Sequence, residues 1–317
     1  MLSILGITIP IFILIGAGYV SGRRGVFSPQ EFQGMGRFVL LFALPAITFD
    51  TLARRPMAEI FEPGYLAAYG LGSLGMFVLT LLFLRFARGM GVGRGAMLAL
   101  GTSSANSAFM GYSIVSQFIG AQAAIALAHT MVIENLVVIP LALALAEIAD
   151  HRGASLLSIA GKTLTNLAKT PLIVALVLGA ACSIAGLHPP DVISRPIEML
   201  AKASAPVALF VIGGTLVGVH LGHEGPRAAP IAAAKLVLHP LAVTLALLLF
   251  SVRDPALARA AILYAAMPML SIYPLLAARH GDQRLAAVAL LVAVAASFAT
   301  ISVTLWLIDQ GVVPLGR

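Results

Sequence analysis

The chain has 317 residues, of which 60% are hydrophobic and 10% are charged, and its mean hydropathy is +0.99. Soluble domains carry about 25% charged residues, so this composition excludes an ordinary soluble protein and indicates a membrane protein with several spans. The net charge of +7 comes mostly from basic residues in short connections, where positive charge orients membrane helices. We therefore expect a lipid bilayer as a partner and no nucleic acid.

Ten apolar stretches are long enough to cross a bilayer, which requires about 20 mostly apolar residues in a helix. They lie at about 2–22, 34–53, 64–87, 95–119, 122–148, 169–187, 197–221, 228–251, 256–279 and 284–308. The first is a full span that ends at Arg23, so we expect no cleavable signal peptide. The longest connection, residues 149–168, divides the spans five and five and is predicted to be a cytoplasmic linker.

Landmark residues recur when the second half of the chain is shifted by 161 positions. The matches pair Pro10, Gly18, Gly25, Pro29, Pro45, Phe49 and Tyr112 with Pro171, Gly179, Gly186, Pro190, Pro206, Phe210 and Tyr273. An odd number of spans in each half places the second copy upside down in the membrane. The sequence therefore predicts an all-α polytopic membrane protein in which residues 1–148 and 169–317 form two inverted five-helix repeats.

The fourth span is polar at its centre, between Gly101 and Ile114, where hydroxyls, an amide and glycines replace apolar residues. One interpretation is close packing of two helices on small residues. Another interpretation is a helix that is broken at mid-membrane beside a water-filled cavity, where polar groups bind a substrate. Asn106 fits the packing interpretation less well, and we therefore favour a binding site.

The ninth span is interrupted by Pro268 and Pro274, and the shift places Met267 and Pro268 on Asn106 and Ser107. Proline removes a helix donor, so the sequence predicts two broken helices that cross at mid-membrane. Half-helix N-termini favour anionic oxygens. The candidate substrate-binding residues are Ser104, Asn106, Ser107, Met110, Gly111, Tyr112, Met267, Pro268, Ser271 and Tyr273.

We expect the substrate to be recognised by helix dipoles and neutral donors, including backbone N–H groups near Gly111 and Pro268. The reason is that neither crossover contains an arginine or lysine.

Glu134 lies near the middle of the fifth span, where a carboxylate is costly and is therefore paired, protonated or functional. Two interpretations stay open: a protonated acid bonded to a neighbouring helix, or a group that couples transport to protons. Asp50, Lys235 and His239 are placed nearer span ends, where side chains reach the membrane surface.

No P-loop, dinucleotide-binding or metal-binding motif is present, and the chain offers no nucleophile or carboxylate pair, so an enzyme is not expected. No cofactor is predicted, with H⁺ or Na⁺ as the candidate coupling ion. With the N-terminus outside, eleven basic residues flank the cytoplasmic ends of the spans and seven flank the other ends. This predicts a periplasmic N-terminus in a bacterial inner membrane.

Several short motifs occur in a fixed order. They are Leu44-Pro45, Asn106 to Tyr112 with Met110-Gly111, Thr170-Pro171-Leu172, Gly213 to Leu216, and Ala266-Met267-Pro268. This pattern resembles the auxin efflux carrier family in its compact bacterial form, a malonate- or malate-permease-like member of the bile/arsenite/riboflavin transporter superfamily.

The resemblance implies an NhaA-like, bile-acid-transporter-like fold. A scaffold of spans 1, 2, 6 and 7 would dimerise through spans 2 and 7, and a transport domain of spans 3–5 and 8–10 would contain the crossing spans 4 and 9. The implied substrates are small organic anions, such as malonate, malate or auxin-like aromatic carboxylates. The sequence thus favours a secondary active transporter of the elevator type. The alternative is an intramembrane sensor that binds the molecule without net transport.

Overall fold

The computed structural model describes residues 2–54, 61–149, 169–187, 189–278 and 281–311. Regular structure within these ranges is helical. The helices are α1 Leu2–Arg23, α2 Pro29–Ala53, α3 Pro63–Ala87, α4 Val92–Ser103, α5 Tyr112–Ile119, α6 Gln122–Ala149, α7 Pro171–Ala185, α8 Asp191–Thr215, α9 Gly222–Leu247, α10 Pro255–Ala266, α11 Tyr273–Ala277 and α12 Gln283–Asp309.

Seven of the described helices, α1, α2, α3, α6, α8, α9 and α12, are long and apolar enough to cross a membrane. The expectation of an all-α polytopic membrane protein is thereby confirmed. Helices α7 and α10 are apolar but shorter. The count of ten spans stays a prediction, because the fourth and ninth predicted spans are each divided into shorter helices. Of the predicted linker, only Ala149 lies within the described residues.

Three of the long helices contain a five-residue π-helical turn two positions before a proline. These turns are Val39–Ala43 before Pro45, Glu134–Val138 before Pro140, and Ala234–Leu238 before Pro240. Proline removes one backbone donor, and its ring clashes with the carbonyl four residues earlier. A wider π turn relieves that clash while the helix continues, and such turns are frequent at functional sites. A fourth π turn, Ser107–Gly111, precedes α5.

Glycines let the helices of the predicted scaffold touch backbone to backbone. A Cβ on Gly18 of α1 would overlap the carbonyl oxygen of Phe210 in α8. In the same way, a Cβ on Gly179 of α7 would lie 3.1 Å from the carbonyl oxygen of Phe49 in α2. The shift of 161 positions superposes the two glycines and the two phenylalanines. Both halves of the chain therefore use the same glycine–phenylalanine contact.

The remaining helices, α3 to α6 and α9 to α12, are joined by an ion pair at each end of α3. At its start, Arg253 Nε donates to Glu62 Oε2 at 3.0 Å. Beyond its end, Arg94 makes a bidentate pair with Asp282, with both N–O distances 2.7 Å. Glu62 and Asp282 are buried, so these pairs are less exposed to screening than surface pairs. Each pair fastens the first half of the chain to the second.

Candidate functional site

The two broken helices meet at their breaks. Helix α4 ends at Ser103 and the π turn before α5 begins at Ser107, whereas α10 ends at Ala266 and α11 begins at Tyr273. The backbone N–H of Asn106 donates to the carbonyl oxygen of Pro268 at 2.7 Å. Its side-chain Nδ2 donates to Ser271 Oγ at 2.8 Å. Asn106 is therefore hydrogen-bonded across the crossing twice, once through its backbone and once through its amide.

The second crossover also places two tyrosine rings on two glycines of the first. A Cβ on Gly101 would overlap the ring of Tyr273, and a Cβ on Gly111 would lie 2.7 Å from Cδ1 of Tyr264. Larger residues at these glycines would separate the helices. The Tyr264 hydroxyl donates to the carbonyl oxygen of Ala123 at 2.7 Å, whereas the buried Tyr273 hydroxyl has no hydrogen-bond partner in the described part of the chain.

Two of the backbone N–H groups near the first break are used within the π turn. The carbonyl oxygen of Asn106 accepts the N–H of Met110 at 3.2 Å and that of Gly111 at 2.9 Å. Pro268 has no N–H group to offer. The Gly111 donor itself is thus used by the π turn, and the expectation that neighbouring N–H groups of the two breaks face an anion stays a prediction.

Glu134 lies at the first break, beneath the N-terminal end of the π turn. Its Oε1 accepts the N–H of Ala105 at 2.8 Å and the hydroxyl of Tyr69 at 3.1 Å. The hydroxyl of Ser107 lies 3.1 Å from Oε1 and 3.0 Å from Oε2. Three donors surround a side chain that can only accept when ionised, which is the environment a carboxylate requires. The negative carboxylate is also attracted to the partial positive charge at the N-terminal end of this turn.

Lys235 and His239 are completely buried, which corrects the prediction that they reach the membrane surface. Lys235 Nζ donates to the carbonyl oxygen of Ala265 at 2.7 Å and lies 3.0 Å from His239 Nδ1. His239 Nε2 in turn lies 2.9 Å from Ser73 Oγ. The prediction failed because the helix begins at Gly222 rather than near residue 228, so Lys235 stands at the middle of α9.

The lysine therefore faces the C-terminal end of α10, where the helix carries a partial negative charge. Asp50, in contrast, lies near the end of α2 as expected and accepts from Arg54 at 2.8 Å.

A polar stripe along α3 was missed by the sequence reasoning. We define it as Glu62, Tyr65, Tyr69 and Ser73, whose spacing of three or four residues places them on one helix face. All four side chains are buried against the interior of the bundle. The spacing itself was the available signal, but two tyrosines and a serine are common enough in membrane helices to escape notice.

The other candidate residues are enclosed in the crossing. Nine of the ten are buried, including Met110, Tyr112 and Met267, and Ser271 is half-buried beside Ile272, which is 53% exposed. The hydroxyl of Ser104 is buried without a hydrogen-bond partner. In the described part of the chain, no three His, Cys, Asp or Glu side chains cluster as metal ligands.

Comparison with known proteins identifies relatives of the whole chain. A family model described as "Membrane transport protein" matches residues 3–307. The "Putative malonate transporter" of Rhizobium meliloti (strain 1021) is 29% identical over 316 residues, which cover 99% of this chain and 98% of that protein. The "Uncharacterized transporter YfdV" of Escherichia coli (strain K12) is 30% identical over 253 residues, or 76% and 77% of the two chains.

A plant protein shares part of the chain. The "Auxin efflux carrier component 8" of Arabidopsis thaliana is 28% identical over 161 residues, covering 47% of this chain and 43% of that protein. The family match spans nearly the entire sequence, including both breaks and the buried charges between them. The chain therefore belongs to the membrane transport protein family, to which the auxin efflux carriers also belong, and is a multi-pass membrane transporter.

Proposed function

We propose that the protein is a secondary active transporter of small organic anions, with malonate or malate as the first substrates to test. The observation that carries the proposal is the crossing of two broken helices through Asn106, next to one buried acid and one buried base. Broken helices that meet at mid-membrane form the substrate sites of many secondary transporters. The name of the Rhizobium relative directs the choice of substrate.

Asn106 is the principal anion donor in this proposal, with Ser271 beside it at the accessible edge of the crossing. Ser104 and Tyr273 contribute hydroxyls that have no hydrogen-bond partner among the residues that the structure describes. Buried polar groups are normally hydrogen-bonded, so two unpaired hydroxyls at one crossing suit a ligand that arrives from outside. Neutral donors that recognise a carboxylate tolerate related anions, and we expect several small carboxylates to compete.

The elevator mechanism assigns different tasks to the two groups of helices. Helices α1, α2, α7 and α8, held by their glycine contacts, act as a static scaffold that dimerises through α2 and α8. Helices α3 to α6 and α9 to α12 move as one body that carries the crossing. The Glu62–Arg253 and Arg94–Asp282 pairs support this division, because both lie within the moving group. The two inverted repeats remain part of the proposal, supported by the recurring glycine–phenylalanine contact.

Protons are the proposed coupling ion, with Glu134 as their carrier. When ionised, Glu134 neutralises the positive end of the half-helix that begins at Ser107. Protonation removes that charge and leaves the helix end free to attract an anion across the crossing. Proton and anion then bind together, so a lower pH on one side drives the anion to the other. Sodium is disfavoured because Lys235 already occupies the Ala265 carbonyl oxygen and Asn106 occupies that of Pro268.

The test is uptake of labelled malonate into proteoliposomes with an imposed pH gradient, acid on the side where substrate is added. The transporter should accumulate malonate above its external concentration, and the accumulation should collapse when a protonophore is added. A sensor, the alternative function, would bind malonate without accumulating it.

The variant Glu134→Gln tests the coupling site in the same vesicles. It should abolish the stimulation by the pH gradient while malonate exchange between equal concentrations continues, since exchange requires no net proton movement. An unchanged pH dependence in this variant would remove Glu134 from the mechanism without affecting the assignment as a carboxylate transporter.

A further inference from the structure

The buried acidic and basic side chains of the described residues all lie in, or directly before, helices of the group that is proposed to move. They are Glu62, His129, Glu134, Lys235, His239 and Asp282. Charges in a protein interior interact more strongly than charges in water, because the interior is less polarisable. The sum of these buried charges therefore decides which ligand charge the moving group can accept.

Two of the buried acids are already neutralised by arginines. Glu62 is paired with Arg253 at 3.0 Å, and Asp282 is paired with Arg94 at 2.7 Å. Each pair sums to zero, and the two pairs lie near the two ends of α3 rather than at the crossing. Neither pair is available to balance the charge of a substrate.

The directions of its hydrogen bonds assign a neutral state to His129. Its Nε2 accepts the backbone N–H of Glu62 at 3.2 Å. Its Nδ1 lies 2.8 Å from the carbonyl oxygen of Ile125, which can only accept, so Nδ1 carries the proton. One ring nitrogen accepts and the other donates, which leaves the imidazole of His129 without a charge.

The same reasoning assigns a neutral His239 beside a charged Lys235. An ammonium group can only donate, and Lys235 Nζ lies 2.7 Å from the carbonyl oxygen of Ala265 and 3.0 Å from His239 Nδ1. His239 Nδ1 therefore accepts, and the ring proton is on Nε2, which lies 2.9 Å from Ser73 Oγ. Lys235 and His239 together carry one positive charge.

Glu134 and Lys235 remain as two opposite charges near the same tyrosine. Tyr69 donates its hydroxyl to Glu134 at 3.1 Å, and its ring packs edge-on against His239, the neighbour of Lys235, at 6.0 Å. The other buried titratable groups around them are Tyr65 of α3, His129 of α6 and Tyr264 of α10. The interior thus sums to zero when Glu134 is ionised and to one positive charge when Glu134 is protonated.

We infer that the substrate crosses the membrane as a singly charged carboxylate, together with one proton on Glu134. This inference rests on the proposed role of Glu134 as proton carrier. The loaded interior then sums to zero, as the empty interior does, so neither form takes an uncompensated charge through the apolar core. A dianion would leave one negative charge unbalanced, which is costly inside a membrane.

For malonate, the transported species is therefore the hydrogen malonate ion. Malonate takes up its own proton in bulk water before it binds. The only other bond that changes is the O–H bond that forms on Glu134 during loading and breaks at release. Monocarboxylates of similar size belong to the same substrate class.

The first test measures the net charge that moves with the substrate. A fixed pH gradient drives uptake of labelled malonate into proteoliposomes, while valinomycin and potassium gradients set the membrane potential. One net charge that crosses with the substrate would change the accumulation ratio about 50-fold for a potential of about 100 mV. We expect less than about a twofold change, because the loaded and empty forms are both neutral.

The second test identifies the protonation state of the bound substrate, with monomethyl malonate as the matched probe because it has only one carboxyl group. Glu134→Gln keeps the size of the side chain and no longer titrates, so any pH dependence of binding belongs to the ligand. Above the second pKa of malonate, its dissociation constant in this variant should rise about tenfold for each pH unit. The dissociation constant of monomethyl malonate should stay constant.

The control variant is Asp50→Asn, which removes a carboxylate that is bonded to Arg54 in the proposed scaffold. It leaves the charge of the moving group unchanged. Its response to potential and its binding of both anions should therefore match those of the unmodified protein.

Two results would overturn the inference and leave the transporter assignment intact. One is an accumulation ratio that changes about 50-fold with the potential. The other is a malonate dissociation constant that does not depend on pH in Glu134→Gln, with weaker binding of monomethyl malonate. Failure of the pH gradient to drive any accumulation would instead overturn the coupling proposal, and the inference with it. The potential measurement uses the unmodified protein and so does not depend on the folding of a variant.

Discussion

The two crossovers have similar backbones and opposite electrostatics. In the first, the break is made of serine and asparagine, and a carboxylate, Glu134, lies at the positive end of a half-helix. In the second, Pro268 lies in the break, and an ammonium group, Lys235, lies at the negative end of α10. Each half-helix end is thus matched by a charge of the opposite sign, as helix dipoles require. Both breaks thus have a compensating charge, which is negative at the first and positive at the second.

The largest effect should come from removing one charge of this arrangement. Lys235→Met removes the buried ammonium group that donates to the Ala265 carbonyl oxygen at 2.7 Å, and it leaves the buried Glu134 as the only ionisable charge of this arrangement. A buried charge that has lost its compensation is strongly destabilising. We expect a marked loss of thermal stability in detergent, followed by partial recovery in the Lys235→Met/Glu134→Gln double variant, because the remaining charge is gone.

The exposed Lys202 of α8 offers a control, since Lys202→Met removes the same charge from a residue outside the interior. If the stability loss of the double variant equals the sum of the losses of the Lys235→Met and Glu134→Gln single variants, the two buried charges act independently.

A smaller effect is expected from breaking the amide link between the crossovers. Asn106→Ala removes the proposed anion donor, and a hydrogen bond to a charged group is worth about 1.5–3 kcal/mol, or roughly 10- to 150-fold in affinity. Malonate affinity, measured by thermal shift against concentration, should fall by that amount.

The backbone bond from Asn106 to Pro268 survives the change, so stability should fall much less than binding. Asn135→Ala is the matched control, because the Asn135 amide donates within its own helix, to the carbonyl oxygen of Met131 at 2.9 Å. Loss of folding with no separate loss of affinity would make Asn106 a structural amide.

The smallest effects distinguish the two crossing tyrosines. Tyr264→Phe removes a hydroxyl that is bonded to Ala123, which should cost about 0.5–1.5 kcal/mol of stability. Tyr273→Phe removes a hydroxyl without a partner, so stability without substrate should hardly change while malonate binding weakens. Melting temperatures without malonate measure the change in stability, and the additional shift with malonate measures the change in binding. A Tyr273→Phe variant that binds malonate normally would remove this hydroxyl from the site.

Sequence reasoning located the breaks and the acid because local composition marks them. Hydroxyls, an amide and prolines inside an apolar span raise the free energy of the protein in the membrane unless their polar groups find partners. This cost depends on the local sequence and can therefore be recognised without knowing the neighbouring helices. The Glu134 carboxylate was recognised for the same reason. The hydrogen-bond partners of Glu134 were not recognised, since Tyr69 and Ser107 approach the carboxylate from two different helices.

The sequence by itself determined the membrane class, the helical architecture and the position of the first break, because hydropathy and backbone donors act along the chain. Only the tertiary structure decided where the buried charges lie. Lys235 and His239 lie in the interior of the bundle because α9 begins six residues earlier than predicted and because α3 and α10 pack around them. A charge in an apolar helix is equally consistent with reaching the surface and with pairing inside. Which of the two occurs depends on whether a neighbouring helix presents a partner, and a single sequence does not specify that neighbour.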